Sequence, residues 1–316
     1  MPDGRVHRAV HEVTAPAPAD VLYGLIADAT RWPLFFRSCV HVEQLDFDGT
    51  RERLRMWAVA GDRITSCVSR RRLDAARRRV EFDQDLPVAP ARSMRGAWTV
   101  EPLGSRSRVT LEYAFTAGDT PGEAAEVEER AGAGCRARLD ELAQLAERWE
   151  HLDELVLSFE DTVRVKGPSE LVFDFLYRVG DWPGELPHVR ALEVVESAPG
   201  VQVVSMSSAG ADGRVHRTES VRICFPGAGR ILYKQTRTSP MLAAYTGEWS
   251  VEPDESGVNV TARHRVILGA KSIGRVRGDD TATAAAGKQV REMLGGAGLL
   301  VLRRAARHAA GSVRVL

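Results

Sequence analysis

Two titratable residues, Tyr113 and His264, lie in similar segments of the chain, "VTLEYAF" and "VTARHRV". An offset of 151 residues carries one position onto the other, and strand alternation places both side chains on an apolar face. An imidazole titrates near neutral pH and can transfer protons, whereas a phenol can hold a carbonyl oxygen by a hydrogen bond. A hydrogen-bonded place in a core also explains both residues. The pair is therefore a candidate for proton transfer and carbonyl binding.

The same offset extends well beyond these two residues. The phrase "GAWTVEP" returns as "GEWSVEP" after 151 residues, and a shift of 150 carries the Trp-Pro pair at residue 32 onto that at residue 182. A chance match would not extend this far, so we predict two copies of one fold. We place the copies at residues 1–152 and 153–316, and each is long enough to form its own core.

Both copies have the same predicted order of elements. In the first, "RVHRAVHEVTA" alternates like a strand, and "PADVLYGLIADAT" has the period of a helix. Strand-like stretches follow, near residues 38–47, 51–59, 63–73, 77–84, 92–102 and 107–117. A closing amphipathic helix is predicted at about 121–150, with its counterpart at about 279–309. This order predicts an α+β fold in which a bent antiparallel sheet wraps the last helix and leaves a cavity.

The composition argues against several classes of protein. Lysine and arginine together number 43, and so do aspartate and glutamate, which disfavours a nucleic-acid partner or a polybasic membrane surface. The four cysteines form no CxxC pair and indicate reduced thiols. The first residues lack a hydrophobic signal core, and the apolar run at 297–302 is too short to span a bilayer. We expect a cytoplasmic protein.

The sequence contains no motif for a cofactor or a metal. No GxGxxG follows a strand at a helix start, and P-loop, HExxH and clustered Asp, Glu and His spacings are missing. We therefore predict neither a cofactor nor a metal site. Any chemistry must come from side chains alone.

The element order, the duplication and the anchors "RWPLFF" and "GAWTVEP" resemble the helix-grip fold of the START-like superfamily and, more closely, the bacterial di-domain polyketide aromatase/cyclases. This resemblance covers the whole chain. It implies an enzyme that binds a poly-β-ketone on an acyl carrier protein and directs first-ring aldol closure, dehydration and aromatisation. It also implies transient contact with a polyketide synthase and a ketoreductase, and closure between carbons 7 and 12.

The resemblance further implies a pocket arginine, at the end of a motif S-x-x-x-x-R on a middle strand. The segment "SCVSRR" matches and places this role on Arg71, which the repeat carries onto Arg222. Small side chains share a strand face with each arginine: Cys67 and Ser69 in the first copy, Thr218 and Ser220 in the second. An arginine stays protonated, so it is expected to stabilise a ketone or enolate oxygen. A surface location for both arginines is the alternative.

Aromatic residues are the predicted walls of the two cavities, because flat rings suit a substrate that becomes aromatic. One tryptophan of each copy follows the first helix at a predicted rim, and another lies on a core strand. The set comprises Trp32, Phe35 and Trp98 in the first copy, and Trp182, Tyr245 and Trp249 in the second. Core packing explains the tryptophans nearly as well. Because "WPLFF" becomes "WPGELP" in the second copy, we expect one pocket to carry the main chemistry.

Two other functions fit the same pattern. A tandem START-like carrier of a lipid or another apolar molecule needs the cavities but no polar constellation. A structural role is also open for one copy, which can support the other or dock a synthase. The paired arginines and hydroxyls favour the enzyme.

Overall fold

The computed structural model describes residues 5–61, 63–118, 120–209, 213, 215–269 and 280–312. The chain divides into two compact units, Met1–Asp153 and Glu154–Leu316. Each unit has a seven-stranded antiparallel sheet and a long C-terminal helix. The predicted α+β helix-grip fold is confirmed for both halves.

The first unit opens with β1 (His7–Ala15), α1 (Ala19–Ala27) and the short α2 (Trp32–Phe35). Six strands follow: β2 (Cys39–Phe47), β3 (Arg51–Ala60), β4 (Arg63–Asp74), β5 (Arg79–Leu86), β6 (Ala91–Leu103) and β7 (Arg106–Ala117). Helix α3 (Pro121–Ala146) closes the unit, and α4 (Leu152–Leu155) leads to the next. The strands lie in the order β1-β7-β6-β5-β4-β3-β2.

The second unit repeats this plan with β8 (Val156–Val165), α5 (Ser169–Tyr177) and the short α6 (Trp182–Glu185). Its later strands are β9 (Val189–Ala198), β10 (Val201–Ala209), β11 (Val215–Phe225), β12 (Arg230–Arg237), β13 (Leu242–Asp254) and β14 (Gly257–Leu268). Helix α7 (Asp280–Ser312) closes the unit, and the predicted first residue of this helix, 279, lies outside the described residues. The strand order is β8-β14-β13-β12-β11-β10-β9.

The inner face of each sheet follows from strict alternation along its strands. Every second residue of β7 is buried, from Ser107 to Ala117, and Tyr113 belongs to this buried set. Helix α3 packs against β1, β6 and β7, and its buried stripe includes Cys135, Leu139 and Leu142. The buried face of the sheet, with every second residue, thus packs against the buried face of the helix, with its period of 3.6 residues, and the apolar core lies between them.

One row of directly paired residues crosses the inner face of each sheet. In the first unit, this cross-sheet row is Glu52, Arg71, Phe82, Gly96 and Tyr113, on β3 to β7. In the second unit, it is Gln202, Arg222, Tyr233, Gly247 and His264, on β10 to β14. The candidate residues of both halves therefore lie on one line across each sheet.

The repeated phrases begin with the glycine of this row. A Cβ atom on Gly96 would lie 2.2 Å from the backbone oxygen of Glu112 and 2.7 Å from the ring of Phe82, and one on Gly247 would overlap the ring of Tyr233. Each glycine thus makes room for the aromatic ring of the neighbouring strand. This close approach explains the glycine at the start of both phrases.

Gly247→Ala is expected to lower the free energy of unfolding by about 1–3 kcal/mol, because the added methyl group displaces the Tyr233 ring. Gly24 is the matched control, since it is exposed on α1 and a Cβ there meets nothing within 4 Å. Gly24→Ala is expected to raise stability by about 0.5–1 kcal/mol. Urea unfolding of both variants measures the difference, and equal effects at the two positions would contradict the packing argument.

Candidate active site

The first unit contains a partly open cavity of about 360 Å³ between the sheet and α3, within the size range of small-molecule sites. Its wall contains these predicted residues: Trp32, Cys67, Ser69, Arg71, Trp98 and Tyr113. Phe35 is buried but lies outside this wall, because α2 directs its ring towards the Arg31 guanidinium, 5.0 Å from the ring centre. The structure thus brings most of the first-copy candidates together at one cavity.

Arg71 is a buried residue of this wall, with only 4% of its surface exposed. Its Nη2 donates to the carbonyl oxygens of Ile26 at 2.7 Å and Ala27 at 3.1 Å, at the end of α1. Its Nη1 lies 3.1 Å from Glu52 Oε1, and burial lowers its pKa to about 10, so it stays protonated at neutral pH. The alternative of a surface arginine is therefore wrong. Arg71 anchors α1 to the sheet, and its Nη1 makes no hydrogen bond within the described residues.

Arg222 has the same position in the second unit and is equally buried. It donates through Nη2 to the carbonyl oxygen of Leu176 and through Nη1 to that of Tyr177, at the end of α5. Its side-chain partner differs, because Nη1 donates to Gln202 Oε1 at 2.8 Å. Burial lowers the pKa of Arg222. The first unit thus pairs its arginine with a carboxylate, and the second with a neutral amide.

Tyr113 presents an unsatisfied hydroxyl at the cavity of the first unit. The group is buried and has no hydrogen-bond partner among the described residues. Burial raises its pKa to about 12, so the phenol keeps its proton at neutral pH. A buried polar group needs a partner, and a ligand or water in the cavity can supply one. Tyr113 is thus available to donate a hydrogen bond to a ligand.

His264 belongs to a chain of three hydrogen-bonded side chains in the second unit. Its Nδ1 lies 2.8 Å from the Tyr245 hydroxyl, which lies 2.7 Å from the hydroxyl of Tyr233. Burial lowers the pKa of His264 to about 4, so the imidazole is neutral at pH 7. The expectation of a histidine that titrates near neutrality is therefore wrong. Tyr233 was missed at the sequence level, although the offset of 151 leads from Phe82 to this position.

The tryptophans are anchors within the two cores. Trp32 Nε1 donates to the carbonyl oxygen of Leu25 at 3.2 Å, and Trp182 Nε1 donates to that of Phe175 at 3.1 Å. Both rings are buried, and Trp32 is part of the cavity wall of the first unit. The core-strand tryptophans contact other aromatic rings: Trp98 lies 6.4 Å from Trp32, and Trp249 lies 6.2 Å from Tyr233, between ring centres.

Thr218 and Ser220 lie on the same face of β11 as Arg222, as alternation predicts. Both are only half-buried, although Arg222 beside them is fully enclosed. Two small and partly accessible hydroxyls therefore lie on the strand face that carries Arg222.

A wider and more open groove of about 840 Å³ is also present in the first unit. Its arginines include Arg53 and Arg70, which both form ion pairs with Asp85. Arg79 forms ion pairs with Glu81 and Glu112. Exposed ion pairs of this kind form a solvated surface. The less open cavity beside α3 is the better candidate for a small-molecule site.

The described residues contain neither a candidate membrane span nor a candidate metal cluster. None of the described helices is long and apolar enough to cross a bilayer. Within the described ranges, no three His, Cys, Asp or Glu side chains form a group that can hold a metal ion.

Two helix-grip units, each with a cross-sheet row and a long closing helix, define an α+β protein of the START-like class. Residues 15–142 match one family described as "Polyketide cyclase / dehydrase and lipid transport", and residues 156–297 match a second with the same description. The chain is 38% identical over 312 residues to the granaticin polyketide synthase bifunctional cyclase/dehydratase of Streptomyces violaceoruber, covering 98% of this chain and 96% of that protein. The chain belongs to the polyketide cyclase/dehydratase family.

Further relatives agree over nearly the whole length. The actinorhodin polyketide synthase bifunctional cyclase/dehydratase of Streptomyces coelicolor is 37% identical over 313 residues, covering 95% of this chain and 96% of that protein. The solved di-domain ARO/CYC BexL from the BE-7585A biosynthetic pathway superposes with a TM-score of 0.82 at 36% identity, covering 96% of this chain and 98% of that one. The solved di-domain ARO/CYC StfQ from the steffimycin biosynthetic pathway superposes with a TM-score of 0.81 at 29% identity, covering 96% of this chain and 99% of that one.

Proposed function

We propose that the protein is an aromatase/cyclase that folds a ketoreduced poly-β-ketone, closes its first ring between carbons 7 and 12, and dehydrates and aromatises that ring. The observation that carries this proposal is the cavity of the first unit, whose wall combines aromatic rings with Arg71 and the unpaired Tyr113 hydroxyl. The names of the full-length relatives, bifunctional cyclase/dehydratases of polyketide synthases, support the same reaction class.

Selecting one product is the main task of such a cavity. A methylene group between two ketones is already acidic, so the reaction depends on which carbons meet. A cavity of this size holds the chain in one folded shape and brings the reacting carbons together. Flat walls from Trp32 and Trp98 fit a ring that becomes planar as it aromatises.

Arg71 and Tyr113 are the proposed oxygen-binding groups of the first unit. Both are protonated at neutral pH, so each donates hydrogen bonds and neither acts as a base. Donors fixed in a buried site stabilise the negative charge that develops on a ketone oxygen as the enolate forms. The smaller Cys67 and Ser69 leave room for the substrate beside Arg71.

The substrate is proposed to arrive on an acyl carrier protein, after reduction by a ketoreductase, with transient contacts to both. This part of the proposal rests on the polyketide synthase relatives. A carrier that only binds an apolar ligand is the second candidate, because the matching families are also described as lipid transport proteins. The charge of Arg71 at the wall, which forms a buried ion pair with Glu52, disfavours it, since a lipid cavity has no use for buried charge.

Reconstitution separates the two candidates. A minimal polyketide synthase and a ketoreductase are incubated with and without the protein, and the cyclised products are compared by chromatography and mass spectrometry. We expect one aromatic product joined between carbons 7 and 12 to replace a mixture. An unchanged mixture would leave the carrier as the better explanation.

Tyr113→Phe is expected to lower the rate of formation of this product by about 10²-fold, because one oxygen-binding donor is lost. The matched control is Tyr23→Phe, since Tyr23 lies on α1 outside the cavity wall. The control is expected to keep the wild-type rate. Equal rates for Tyr113→Phe and the wild type would remove Tyr113 from the proposed site.

A further inference from the structure

Tyr233 occupies a special place in the cross-sheet row of the second unit. It lies on β12 directly opposite Arg222 on β11, and such opposite residues have Cβ atoms about 5 Å apart. Tyr233 is only half-buried, as are Thr218 and Ser220 on the same inner face. A phenol and two small hydroxyls on this face are therefore partly accessible, beside the buried Arg222 guanidinium.

We propose that this position is a second ligand site, in which the Tyr233 hydroxyl and the Arg222 guanidinium bind a ketone or enolate oxygen. The substrate class rests on the proposed function, but the oxygen-binding geometry rests on the residues of the second unit alone. Tyr245 and His264 are positioning residues, which fix the direction of the Tyr233 O–H group through the hydrogen-bonded chain.

The direction of that chain follows from the far end of the imidazole. His264 Nε2 has no hydrogen-bond partner among the described residues and faces Gly298 of α7, where a Cβ would lie 3.1 Å from it. A buried N–H without a partner is rarer and costlier than an unpaired lone pair. Nδ1 of the neutral ring therefore carries the proton and donates to Tyr245. Tyr245 then donates to Tyr233, whose own proton is left for a ligand.

The first unit cannot form this site. The offset of 151 residues places Phe82 at the position of Tyr233, and Met94 at that of Tyr245, so the hydroxyl chain is missing. Glu52 also balances the charge of Arg71, whereas Gln202 leaves the charge of Arg222 without a bonded carboxylate in the described residues. An anionic enolate oxygen is thus bound more favourably beside Arg222 than beside Arg71.

The test uses two probes of one shape, the aryl ketone 1-tetralone and its carbonyl-free analogue tetralin. Binding is followed through the ¹⁵N signals of the His264 ring, which report on the second unit alone. The wild type is expected to bind 1-tetralone about 3- to 10-fold more tightly than tetralin, the effect of one hydrogen bond. Tyr233→Phe is expected to abolish this preference, and the control Tyr23→Phe to keep it.

Two further measurements test the positioning chain and the charge. The ¹⁵N spectrum of unliganded protein is expected to show His264 protonated at Nδ1, and Tyr245→Phe is expected to weaken the ketone preference at an unchanged affinity for tetralin. Gln202→Glu places the carboxylate of the first unit beside Arg222. This variant is expected to bind the anion of 1,3-indandione, a cyclic 1,3-diketone, about tenfold more weakly than the wild type does.

The outcomes separate this site from the proposed function. Equal binding of the two probes to the wild type, a preference that survives Tyr233→Phe, or a His264 protonated at Nε2 would overturn the Tyr233 site. These binding results do not depend on product formation. If the protein controls the products but shows no ketone preference, only the proposal of a second site is overturned. If it shows the ketone preference but leaves the product mixture unchanged, the proposed function is overturned instead.

Discussion

Arg71→Ala is expected to lower the free energy of unfolding of the first unit by about 3–5 kcal/mol, because Glu52 is left as a buried charge without a partner. Both side chains of this ion pair are at most 3% exposed, so water cannot compensate for the loss. Gln44 Nε2 donates to Glu52 Oε2 at 2.7 Å, but this neutral donor does not replace a cation. The carbonyl groups of Ile26 and Ala27 lose their donor as well.

Arg222→Ala is the matched comparison. It is expected to lower the free energy of unfolding by less, about 1–3 kcal/mol, because it leaves only neutral groups unpaired. Urea unfolding of both variants measures the difference. Adding Glu52→Gln to Arg71→Ala is expected to restore part of the lost stability. Equal losses for the two arginine variants, or no recovery in the double variant, would contradict the role assigned to Glu52. Activity measurements on Arg71→Ala therefore need the double variant as a reference.

The stability of the second unit is expected to fall between about pH 6.5 and pH 4 through His264. Burial lowers the pKa of this imidazole from 6.5 to about 4, so the unfolded chain takes up a proton that the folded chain excludes. The contribution of His264 to the free energy of unfolding is complete above pH 6.5 and is lost as the pH falls towards 4. At about 1.4 kcal/mol per pKa unit, the full loss is about 3 kcal/mol, of which about 2 kcal/mol is lost by pH 5.

Urea unfolding at pH 8 and pH 5 tests this dependence in the wild type and in His264→Gln. Glutamine keeps a polar partner for the Tyr245 hydroxyl but does not titrate. Between the two pH values, the free energy of unfolding of the variant is expected to fall by about 2 kcal/mol less than that of the wild type. The two proteins share all their other titratable groups. The same pH dependence in both proteins would show that His264 is not the responsible group.

Alternation and period were enough to predict the fold, because a half-buried strand and an amphipathic helix each leave a regular pattern. The predicted stretch 63–73 corresponds to β4 at Arg63–Asp74, and the stretch 107–117 to β7 at Arg106–Ala117. The closing helix was predicted to about residue 150 but ends at Ala146. Trp149 continues the apolar spacing from a separate 3-10 turn, which the pattern alone could not distinguish.

The candidate site was only partly accessible to the same reasoning. Strand parity places Cys67, Ser69 and Arg71 on one inner face, and the cavity wall contains all three. Strand alternation could not show that Arg71 donates hydrogen bonds to the carbonyl groups of Ile26 and Ala27 at the end of α1, because these residues lie 45 and 44 positions earlier in the chain. It also could not show the pKa of His264, which depends on burial from all sides.

The space above the glycine of each cross-sheet row, Gly96 or Gly247, has a consequence for how the two halves came to differ. It accepts a flat six-membered ring, and phenylalanine and tyrosine fill it with the same outline, as Phe82 and Tyr233 show. A single hydroxyl can therefore be gained or lost there without repacking the neighbours. After the ancestral gene doubled, the copies could acquire separate chemistries at this spot while the scaffold stayed untouched.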